Sequence, residues 1–295
     1  MSQEVKILVC CHKPDIHAAQ PPYFPIQVGA SVNNVDLGFQ KDNMGVNISL
    51  KNRSYCELTG IYWAWKNLQN VSVIGLCHYR RYFDFHKQCS SILPHTEFES
   101  SKFEGTDLSI PTSILEKVRE GYVVVPKANN CPVSLYDDYC IGHISDDIRI
   151  VEDVLKSTQQ EYILKAYFKV MKQGNKFYPY NMFIMNWQLF DSYCNWLFGI
   201  MNILEERIDI SSYNSYQKRI FGFLSERLFN VWIEAKEYKT IEKPVIWFVD
   251  QPQKISLGQI VKYLVRSVNN HVSTSLTKPK LYENWRQLEI PKYLK

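Results

Sequence analysis

Short β-rich runs alternate with amphipathic helical patterns along this chain, and that alternation constrains the fold more than any other feature. The runs are too short for typical helices and are rich in valine, isoleucine and aromatic residues, as buried strands are. They cover residues 5–11, 71–77, 122–125, 181–186 and 245–249. Because strands that alternate with helices form parallel sheets covered by those helices, the sequence predicts an α/β fold with a mainly parallel sheet.

The helical patterns between these runs carry recognisable start and stop signals. Ser54 and Glu57 have the spacing of a capping box, in front of an apolar stripe that begins at Leu58. Further helices are predicted over residues 109–121, 188–207 and 216–236. The two long intervening segments, 14–47 and 86–107, are predicted to be loops that bind a ligand or face an acceptor molecule.

The distribution of charge divides the chain. Of the 295 residues, 34 are Lys or Arg and 30 are Asp or Glu, which gives a net charge of +4. Residues 254–295 hold eight of the basic residues against two glutamates, so residues 1–253 are slightly acidic. We therefore predict one α/β domain over 1–253 and a basic amphipathic segment over 254–295, with a helix at 255–272. Such a helix either lies on an anionic membrane or docks onto the protein's own core.

Several protein classes are excluded or disfavoured by pattern and composition. There is no signal-peptide pattern and no apolar run of the roughly 18–20 residues that span a bilayer. The eight cysteines form no C-x-x-C pair, which predicts reduced, buried thiols and a cytoplasmic protein. No G-x-G-x-x-G or Walker A pattern occurs, which argues against dinucleotide enzymes and P-loop NTPases. Basic residues cluster in the tail rather than among the aromatic residues of the sheet, so no nucleic-acid partner is expected.

Cationic and aromatic side chains follow the predicted strands at the edge where ligands bind in open α/β sheets. The first predicted strand is followed by His12 and Lys13, and the second by His78, Tyr79, Arg80 and Arg81. Guanidinium groups match phosphate oxygens in a bidentate manner, so the pattern favours an anionic ligand. The alternative is that the arginines form ion pairs with Asp84 and other acidic residues at a sheet edge.

Several motifs, in a fixed order, resemble those of a known family. They are Asn47-Ile-Ser-Leu-Lys-Asn52, Tyr55-Cys-Glu-Leu-Thr-Gly-Ile-Tyr-Trp-Ala-Trp-Lys-Asn67, Gly75-Leu-Cys-His-Tyr-Arg-Arg-Tyr82, Asn181-Met-Phe-Ile-Met185 and a segment from Arg219 to Leu228 that contains Gly-Phe-Leu-Ser-Glu-Arg. In these motifs the chain resembles a family of bacterial capsule, exopolysaccharide and O-antigen glycosyltransferases, long described as a domain of unknown function, that includes galactofuranosyltransferases. The similarity runs from Lys6 to about Asp250.

The resemblance implies a GT-A-like fold, in which a Rossmann-type, mainly parallel sheet flanked by helices binds a nucleotide-sugar and an acceptor half follows. The nucleotide-sugar of such enzymes is usually a UDP-sugar. On this basis we expect the donor to be bound by His12, Lys13, Asn47, Lys51, His78, Tyr79, Arg80 and Arg81. For Asn47 and Lys51, local turn chemistry is an equally good interpretation.

Most GT-A enzymes carry an Asp-x-Asp motif at the end of the strand that corresponds to residues 71–77, where it holds a divalent metal against the diphosphate. In this chain the position has no pair of carboxylates. We therefore expect no metal cofactor and assign neutralisation of the leaving UDP to Arg80 and Arg81. Ligation of Mn²⁺ or Mg²⁺ by His78 together with Asp84 stays open as the alternative.

An inverting sugar transfer needs a general base for the acceptor hydroxyl, which is normally an Asp or Glu. The best candidate is Glu226, because the predicted helix places it on one face with Gly222, away from the Leu224 and Leu228 stripe. The resemblance supports this position for the base. The alternative is a solvated glutamate paired with Arg219 or Arg227.

A second group of candidates lies upstream of that helix. Asp138 and His143 are the further catalytic candidates, and Asp137, Tyr139 and Asn181 are expected to bind the acceptor. For Asp137 and Asp138, a helix-capping role is the alternative interpretation.

Taken with the resemblance, these residues predict a glycosyltransferase that moves a sugar from a UDP-sugar to a lipid-linked polysaccharide acceptor. We expect the sugar to be galactofuranose and the transfer to invert the configuration at its anomeric carbon. The expected acceptor is a polyprenyl-diphosphate-linked glycan, and the expected location is the cytoplasm or the inner face of the bacterial membrane. Two alternatives stay open, a retaining hexopyranosyltransferase and a non-catalytic carbohydrate-binding protein.

Overall fold

The structure, a computed structural model, describes residues 4–90, 92–253 and 255–268 and contains two compact units. The first unit comprises Met1–Asn129, Tyr178–Cys194 and Tyr238–Leu264. The second comprises Asn130–Phe177, Asn195–Glu237 and the chain from Val265 onward. The division at residues 253 and 254 that the charge distribution suggests stays a prediction.

The strands include all of the β-rich runs of the sequence and several shorter segments. In chain order they are β1 (Glu4–Cys11), β2 (Tyr23–Gln27), β3 (Gln40–Lys41), β4 (Val71–His78), β5 (Arg81–Phe83), β6 (His95–Glu99), β7 (Val123–Pro126), β8 (Asn129–Asn130), β9 (Lys176–Phe177), β10 (Phe183–Asn186), β11 (Thr240–Lys243) and β12 (Val245–Val249).

A ten-stranded sheet forms the described core of the first unit, with the order β11-β7-β10-β4-β1-β2-β3 and with β5, β6 and β12 joined beyond β4. The pairs β1–β2, β1–β4, β2–β3, β7–β11 and β6–β12 are parallel. Strand β10 is antiparallel to both of its neighbours, and β5 is antiparallel to β4 and β12. The prediction of a mainly parallel sheet flanked by helices is confirmed.

The central strands are buried because their side chains are apolar on both faces, as in parallel sheets. Ile7, Leu8 and Val9 of β1 are fully buried, and so is Leu76 of β4. Gly75 of β4 lies between Ile7 of β1 and Ile184 of β10. A Cβ atom at that position would lie 2.7 Å from Cδ1 of Ile7 and 2.9 Å from the carbonyl oxygen of Phe183, so glycine permits this packing.

The helices follow the predicted pattern with shifted ends. They are α1 (Asn52–Tyr55), α2 (Leu58–Asn67), α3 (Thr112–Arg119), α4 (Leu135–Gly142), α5 (Ser145–Thr158), α6 (Glu161–Tyr167), α7 (Trp187–Arg207), α8 (Ile220–Ala235) and α9 (Leu257–Val268). A π-helical turn, Phe168–Gln173, follows α6. The second unit is built mainly from helices, and α6 packs against α8 within it.

The predicted capping box is wrong. Cys56 has a φ of 51° and separates α1 from α2, so Ser54 lies inside the first short helix and does not cap the second. The Ser54 hydroxyl donates to the carbonyl oxygen of Lys51. Glu57 stands at the cap position of α2, but its side chain makes no capping bond. Its carboxylate is therefore available for another interaction.

The predicted loop over residues 14–47 contains β2 and β3 and is fixed by the buried carboxylate of Asp42. That carboxylate accepts hydrogen bonds from the amides of Gly29 at 2.7 Å and Ala30 at 3.0 Å. It also accepts from the hydroxyls of Ser49 at 2.5 Å and Thr59 at 2.6 Å. A single buried side chain thus joins this segment to the start of α2.

The C-terminal helix α9 ends at Val268, and the predicted continuation over 269–272 lies outside the described residues. Several apolar side chains of α9 face away from the protein. Leu257 is 76% exposed, Val261 is 50% exposed and Leu264 is 43% exposed. On another side, the Tyr263 hydroxyl donates to the carbonyl oxygen of Ala128. The predicted stripe is therefore exposed along most of the described helix.

Candidate active site

The sheet reverses its order of progression at β1, because β2 lies on one side of β1 and β4 lies on the other. Such a switch point opens a crevice at the carboxyl ends of the two strands, which is the usual ligand site of open α/β sheets. His12 follows β1 directly, and Tyr79 follows β4. Their rings are in edge contact, with 5.3 Å between centroids. The predicted grouping of these residues at one sheet edge is therefore present in the first unit.

Lys13 lies beside the same ring. Its Nζ is 5.9 Å from the centroid of Tyr79 and 3.6 Å from Oδ2 of Asp15. The lysine side chain is 54% exposed, so this ion pair is weak and leaves the ammonium group accessible to an anion.

The two arginines of the motif have different environments, because β4 and β5 are joined by a tight hairpin. Arg80 lies at the hairpin tip, where its Nε is 2.9 Å from Asp15 and its Nη2 is 3.0 Å from Asp250. Burial alone would lower the pKa of Arg80, but the bonds to the two carboxylates outweigh it and raise that pKa. Arg80 is therefore ion-paired, as the alternative interpretation of the sequence predicts.

Arg81, the first residue of β5, makes aromatic contacts. Its guanidinium carbon lies 4.7 Å from the ring centroid of Tyr180 and 4.3 Å from that of Trp247 on β12. The Nε atom is buried and has no hydrogen-bond partner among the described residues, and no described carboxylate lies within ion-pair distance of the guanidinium. Aromatic rings hold a cation without neutralising it, so no carboxylate of the described residues compensates the positive charge of Arg81 at ion-pair distance.

His78, at the end of β4, lies next to a turn that precedes β10. Its Nε2 donates to the carbonyl oxygen of Tyr180 at 2.8 Å. Burial lowers the pKa of His78, and the nearby Glu57 acts in the opposite direction. Glu57 accepts a hydrogen bond from the side chain of Asn181 at 2.7 Å. The turn thus joins a predicted donor residue, His78, to a predicted acceptor residue, Asn181.

Asn47 and Lys51 occupy the local turn before α1. The Asn47 side chain donates to the carbonyl oxygens of Asn43 and Gly45 and accepts from the amide of Ser49. Lys51 lies over the ring of Tyr55 at 5.7 Å. For Asn47, turn chemistry therefore accounts for the side-chain contacts.

The catalytic candidates of the second unit meet at one arginine. Arg227 is buried, with its Nη1 3.1 Å from Oε2 of Glu226 and its Nη2 3.2 Å from Oδ2 of Asp138. The Glu226 side chain is 18% exposed and that of Asp138 is 31% exposed. The structure therefore brings these two carboxylates together at Arg227. For Glu226, this is the pairing that the sequence left open as the alternative.

His143 lies in the same unit among aromatic rings. Its centroid is 4.1 Å from Phe223, 4.7 Å from Tyr139 and 5.8 Å from Tyr216. Burial, followed by the charge of Arg227, lowers the pKa of His143 well below its usual value. Nδ1 of His143 and the hydroxyl of Tyr139 are buried without a hydrogen-bond partner among the described residues.

Asp137 has a structural contact at the start of α4. Ser134 is the cap residue of that helix, and its hydroxyl donates to the Asp137 carboxylate at 2.7 Å and accepts from the Asp137 amide. The capping alternative therefore describes Asp137, whereas Asp138 points its carboxylate to Arg227.

The described residues contain no group of three or more His, Cys, Asp or Glu side chains that could hold a metal ion. The oxygens of Asp84, which the sequence offers as a partner of His78, accept from the amides of His86 at 2.9 Å and Cys89 at 2.6 Å.

Comparisons with known proteins agree with this architecture. The family described as a domain of unknown function (DUF4422) matches residues 6–237. The chain belongs to that family. Among solved structures it is similar to the apo structure of the WbbM bifunctional glycosyltransferase, with 26% sequence identity and a TM-score of 0.73. The match covers 85% of this chain and 46% of that protein, so this DUF4422 chain spans about half the length of WbbM. No curated protein sequence matches.

The predicted GT-A-like fold of this DUF4422 chain is confirmed by that structural likeness. The predicted resemblance to a bacterial polysaccharide glycosyltransferase family is confirmed as well. Within the described part of the chain, no helix is long and apolar enough to cross a membrane.

Sequence reasoning missed two residues of the candidate site in the first unit, Tyr180 and Trp247, and it interpreted Glu57 as a capping residue. The tryptophan of β12 was a usable signal in the sequence, because a large aromatic residue near the end of a predicted strand can line a ligand site. Tyr180 gave no signal, because its left-handed backbone and its contact with Arg81 are set by tertiary packing. The spacing of Ser54 and Glu57 predicted a capping bond for Glu57, whereas its carboxylate accepts from Asn181.

Proposed function

We propose that this chain is a glycosyltransferase that takes a sugar from a UDP-sugar and binds the donor diphosphate at the carboxyl ends of β1 and β4. The observation that carries the proposal is Arg81, a cation held between two aromatic rings with no described carboxylate beside it. Arg81 is partly exposed, so its guanidinium can donate to the oxygens of a bound phosphate. The likeness to a bifunctional glycosyltransferase supports the same activity.

The role of Arg81 follows from the charge that develops in the reaction. When the bond between the anomeric carbon and the diphosphate breaks, its electron pair stays on the diphosphate as negative charge. A fixed guanidinium stabilises that charge without reorganising, which is the electrostatic contribution that a metal ion makes in other enzymes. We propose that the reaction needs no metal for this reason. An absolute requirement for added Mn²⁺ would overturn this part of the proposal.

A titration tests the diphosphate site directly. In EDTA, UDP should bind at least about 100-fold more tightly than uridine, because charge-assisted hydrogen bonds to phosphate are worth about 1.5–3 kcal/mol each. Uridine is the matched control, since it shares the base and the ribose. Equal affinities for UDP and uridine would show that no diphosphate site exists in the chain.

For the base, we propose Glu226 and an inverting displacement. The acceptor oxygen attacks the anomeric carbon, UDP leaves from the opposite face, and the acceptor proton passes to the carboxylate. Glu226 is partly exposed and is one of the two carboxylates on Arg227, the other being Asp138. The anomeric configuration of the product, read by NMR, separates this mechanism from a retaining one.

Replacing Glu226 by glutamine should lower kcat by about 100-fold or more, because the amide has the shape of the carboxylate but cannot take a proton. UDP affinity should stay within twofold of wild type. The matched control is Glu234→Gln in the same helix, which should leave kcat unchanged. Near-wild-type turnover of the Glu226 variant would exclude it as the base.

For the acceptor, we propose a lipid-linked glycan with galactofuranose as the transferred sugar, presented at a membrane surface that α9 contacts. The exposed apolar side chains of α9, Leu257, Val261 and Leu264, would enter the lipid, with the exposed Lys262 near the anionic headgroups.

Removal of residues 254–295 should abolish binding to phosphatidylglycerol liposomes in a sedimentation assay. Replacing Leu257 and Val261 by serine should reduce the bound fraction at least fivefold without truncation. Neutral phosphatidylcholine liposomes are the control for the charge contribution. Undiminished binding by the truncated chain would rule out this contact.

A further inference from the structure

The turn that precedes β10 has an unusual backbone. Tyr180 has a φ of 74° and Asn181 has a φ of 52°, so two consecutive non-glycine residues are left-handed. Asparagine tolerates this region, but tyrosine rarely adopts it, and each such residue costs on the order of 1–3 kcal/mol. This geometry persists only where surrounding contacts hold it, and such strain concentrates at functional sites.

Hydrogen bonds to residues outside the turn help to hold it. The His78 ring donates to the carbonyl oxygen of Tyr180 at 2.8 Å. The Asn181 side chain, which is 98% buried, donates to Oε1 of Glu57 at 2.7 Å. Glu57 itself follows Cys56, whose φ of 51° and ψ of −130° turn the chain between α1 and α2. The Glu57–Asn181 hydrogen bond therefore joins two segments that each contain left-handed, non-glycine backbone.

The turn also carries Tyr180, whose ring contacts the Arg81 guanidinium. The Tyr180 ring lies 4.7 Å from the guanidinium carbon, and the Trp247 ring lies 4.3 Å from it. Trp247 is fixed by the pairing of β12 with β5, in which it lies opposite Arg81. Tyr180 belongs to the turn itself, so the backbone conformation of the turn sets the direction of its ring.

We infer that Glu57 is a positioning residue for the Arg81 guanidinium, acting through its hydrogen bond to Asn181 and the Tyr180 ring. This inference rests on the proposed diphosphate site. The bond between Glu57 and Asn181 holds the left-handed turn, the turn places Tyr180 against Arg81, and Arg81 is thereby fixed before the diphosphate arrives. A preorganised cation binds an anion more tightly than a mobile one, because less side-chain freedom is lost on binding.

Glutamine at position 57 distinguishes this role from a direct contact between the Glu57 carboxylate and the donor. Its Oε1 can accept the same bond from Asn181, while the charge is gone. The positioning role predicts that Glu57→Gln keeps UDP affinity within twofold of wild type. A direct role of the carboxylate charge predicts a loss as large as that of Glu57→Ala.

The decisive experiment exchanges the donor and the acceptor of the hydrogen bond between residues 57 and 181. UDP affinity is measured by calorimetry for the wild type, Asn181→Asp, and the double variant Glu57→Gln with Asn181→Asp. Asn181→Asp places two carboxylates together and should weaken UDP binding about tenfold. In the double variant, glutamine 57 can donate to the new carboxylate, so affinity should return to within threefold of wild type.

A second cycle tests whether Glu57 acts through Arg81. In the Arg81→Ala background, Glu57→Ala should change UDP affinity less than twofold, whereas in the wild-type background it should weaken it five- to tenfold. If UDP binds the wild type, either of two results would overturn the positioning role. One is that Glu57→Ala weakens UDP binding by the same factor with and without Arg81→Ala. The other is that Glu57→Gln with Asn181→Asp does not recover the affinity lost in Asn181→Asp. Failure of the wild type itself to bind UDP would instead overturn the diphosphate site, and the inference with it.

Discussion

Replacing Arg81 by alanine should weaken UDP binding about 30- to 100-fold. The guanidinium is held by Tyr180 and Trp247 and has no described carboxylate to neutralise it, and in the proposed function the donor diphosphate supplies the counter-charge. Losing a charge-assisted hydrogen bond in such a site costs about 2–3 kcal/mol, and each 1.4 kcal/mol corresponds to a factor of ten. The kcat/KM for a UDP-sugar should fall by at least the same factor, because the negative charge grows as UDP departs.

Three variants serve as controls for that result. Arg81→Lys keeps the charge but loses the planar group that stacks on the rings, and it should recover only part of the affinity. Arg80→Ala should have a smaller effect than Arg81→Ala, since Asp15 and Asp250 already compensate Arg80. Arg149→Ala removes an exposed arginine that pairs with Asp146 and should change nothing. Equal losses for the Arg80 and Arg81 variants would contradict the assignment of Arg81 as the main phosphate ligand.

Replacing Asp42 by alanine should lower the free energy of unfolding by about 3–5 kcal/mol, as measured in urea. The Asp42 carboxylate is fully buried and accepts four hydrogen bonds, two from backbone amides and two from hydroxyls. Its removal leaves the amides of Gly29 and Ala30 and the hydroxyl of Ser49 without this acceptor in the protein interior, where each unsatisfied group costs about 1–3 kcal/mol. The Thr59 hydroxyl can still donate to the carbonyl oxygen of Cys56. The segment that carries β2 and β3 would lose its attachment to α2.

Asparagine at position 42 gives a more specific test. Each carboxylate oxygen accepts one backbone amide, Oδ2 from Gly29 and Oδ1 from Ala30. Whichever way the new side chain is turned, its NH₂ group faces an amide donor, so this near-isosteric change should still cost about 2–4 kcal/mol. Asp36→Asn, at an exposed carboxylate of the same segment, should lower the free energy of unfolding far less than Asp42→Asn. A small effect at Asp42 would show that the network contributes little to folding.

The parts of the fold that sequence predicts well are those whose signal is local. The continuous apolar runs of β1 and β4 are buried on both faces, and the sequence shows this without reference to any other residue. The short strands β2, β3, β5, β6 and β11 are not visible in this way, since they exist because neighbouring strands pair with them. Predicting them requires the sheet order, which local patterns do not contain.

The candidate site shows the same division. Strand ends and residue types placed His12, Tyr79, Arg80 and Arg81 at one edge of the sheet. Whether an arginine is neutralised is decided by distant residues: Asp250 reaches Arg80, whereas Trp247, three residues earlier, reaches Arg81. The capping-box prediction failed for a related reason, since Glu57 bonds to Asn181, a residue far away in the sequence.

The release of UDP from a panel of UDP-sugars, including UDP-galactofuranose, with a lipid-linked glycan acceptor tests the account most directly. The wild type should release UDP from one donor only when the acceptor is present, at the same rate in EDTA, and should form a glycosylated product. Arg81→Ala should reduce that rate at least 30-fold, as its expected loss of phosphate contacts requires. Binding of the glycan without UDP release from any donor would contradict the account and identify a carbohydrate-binding protein instead.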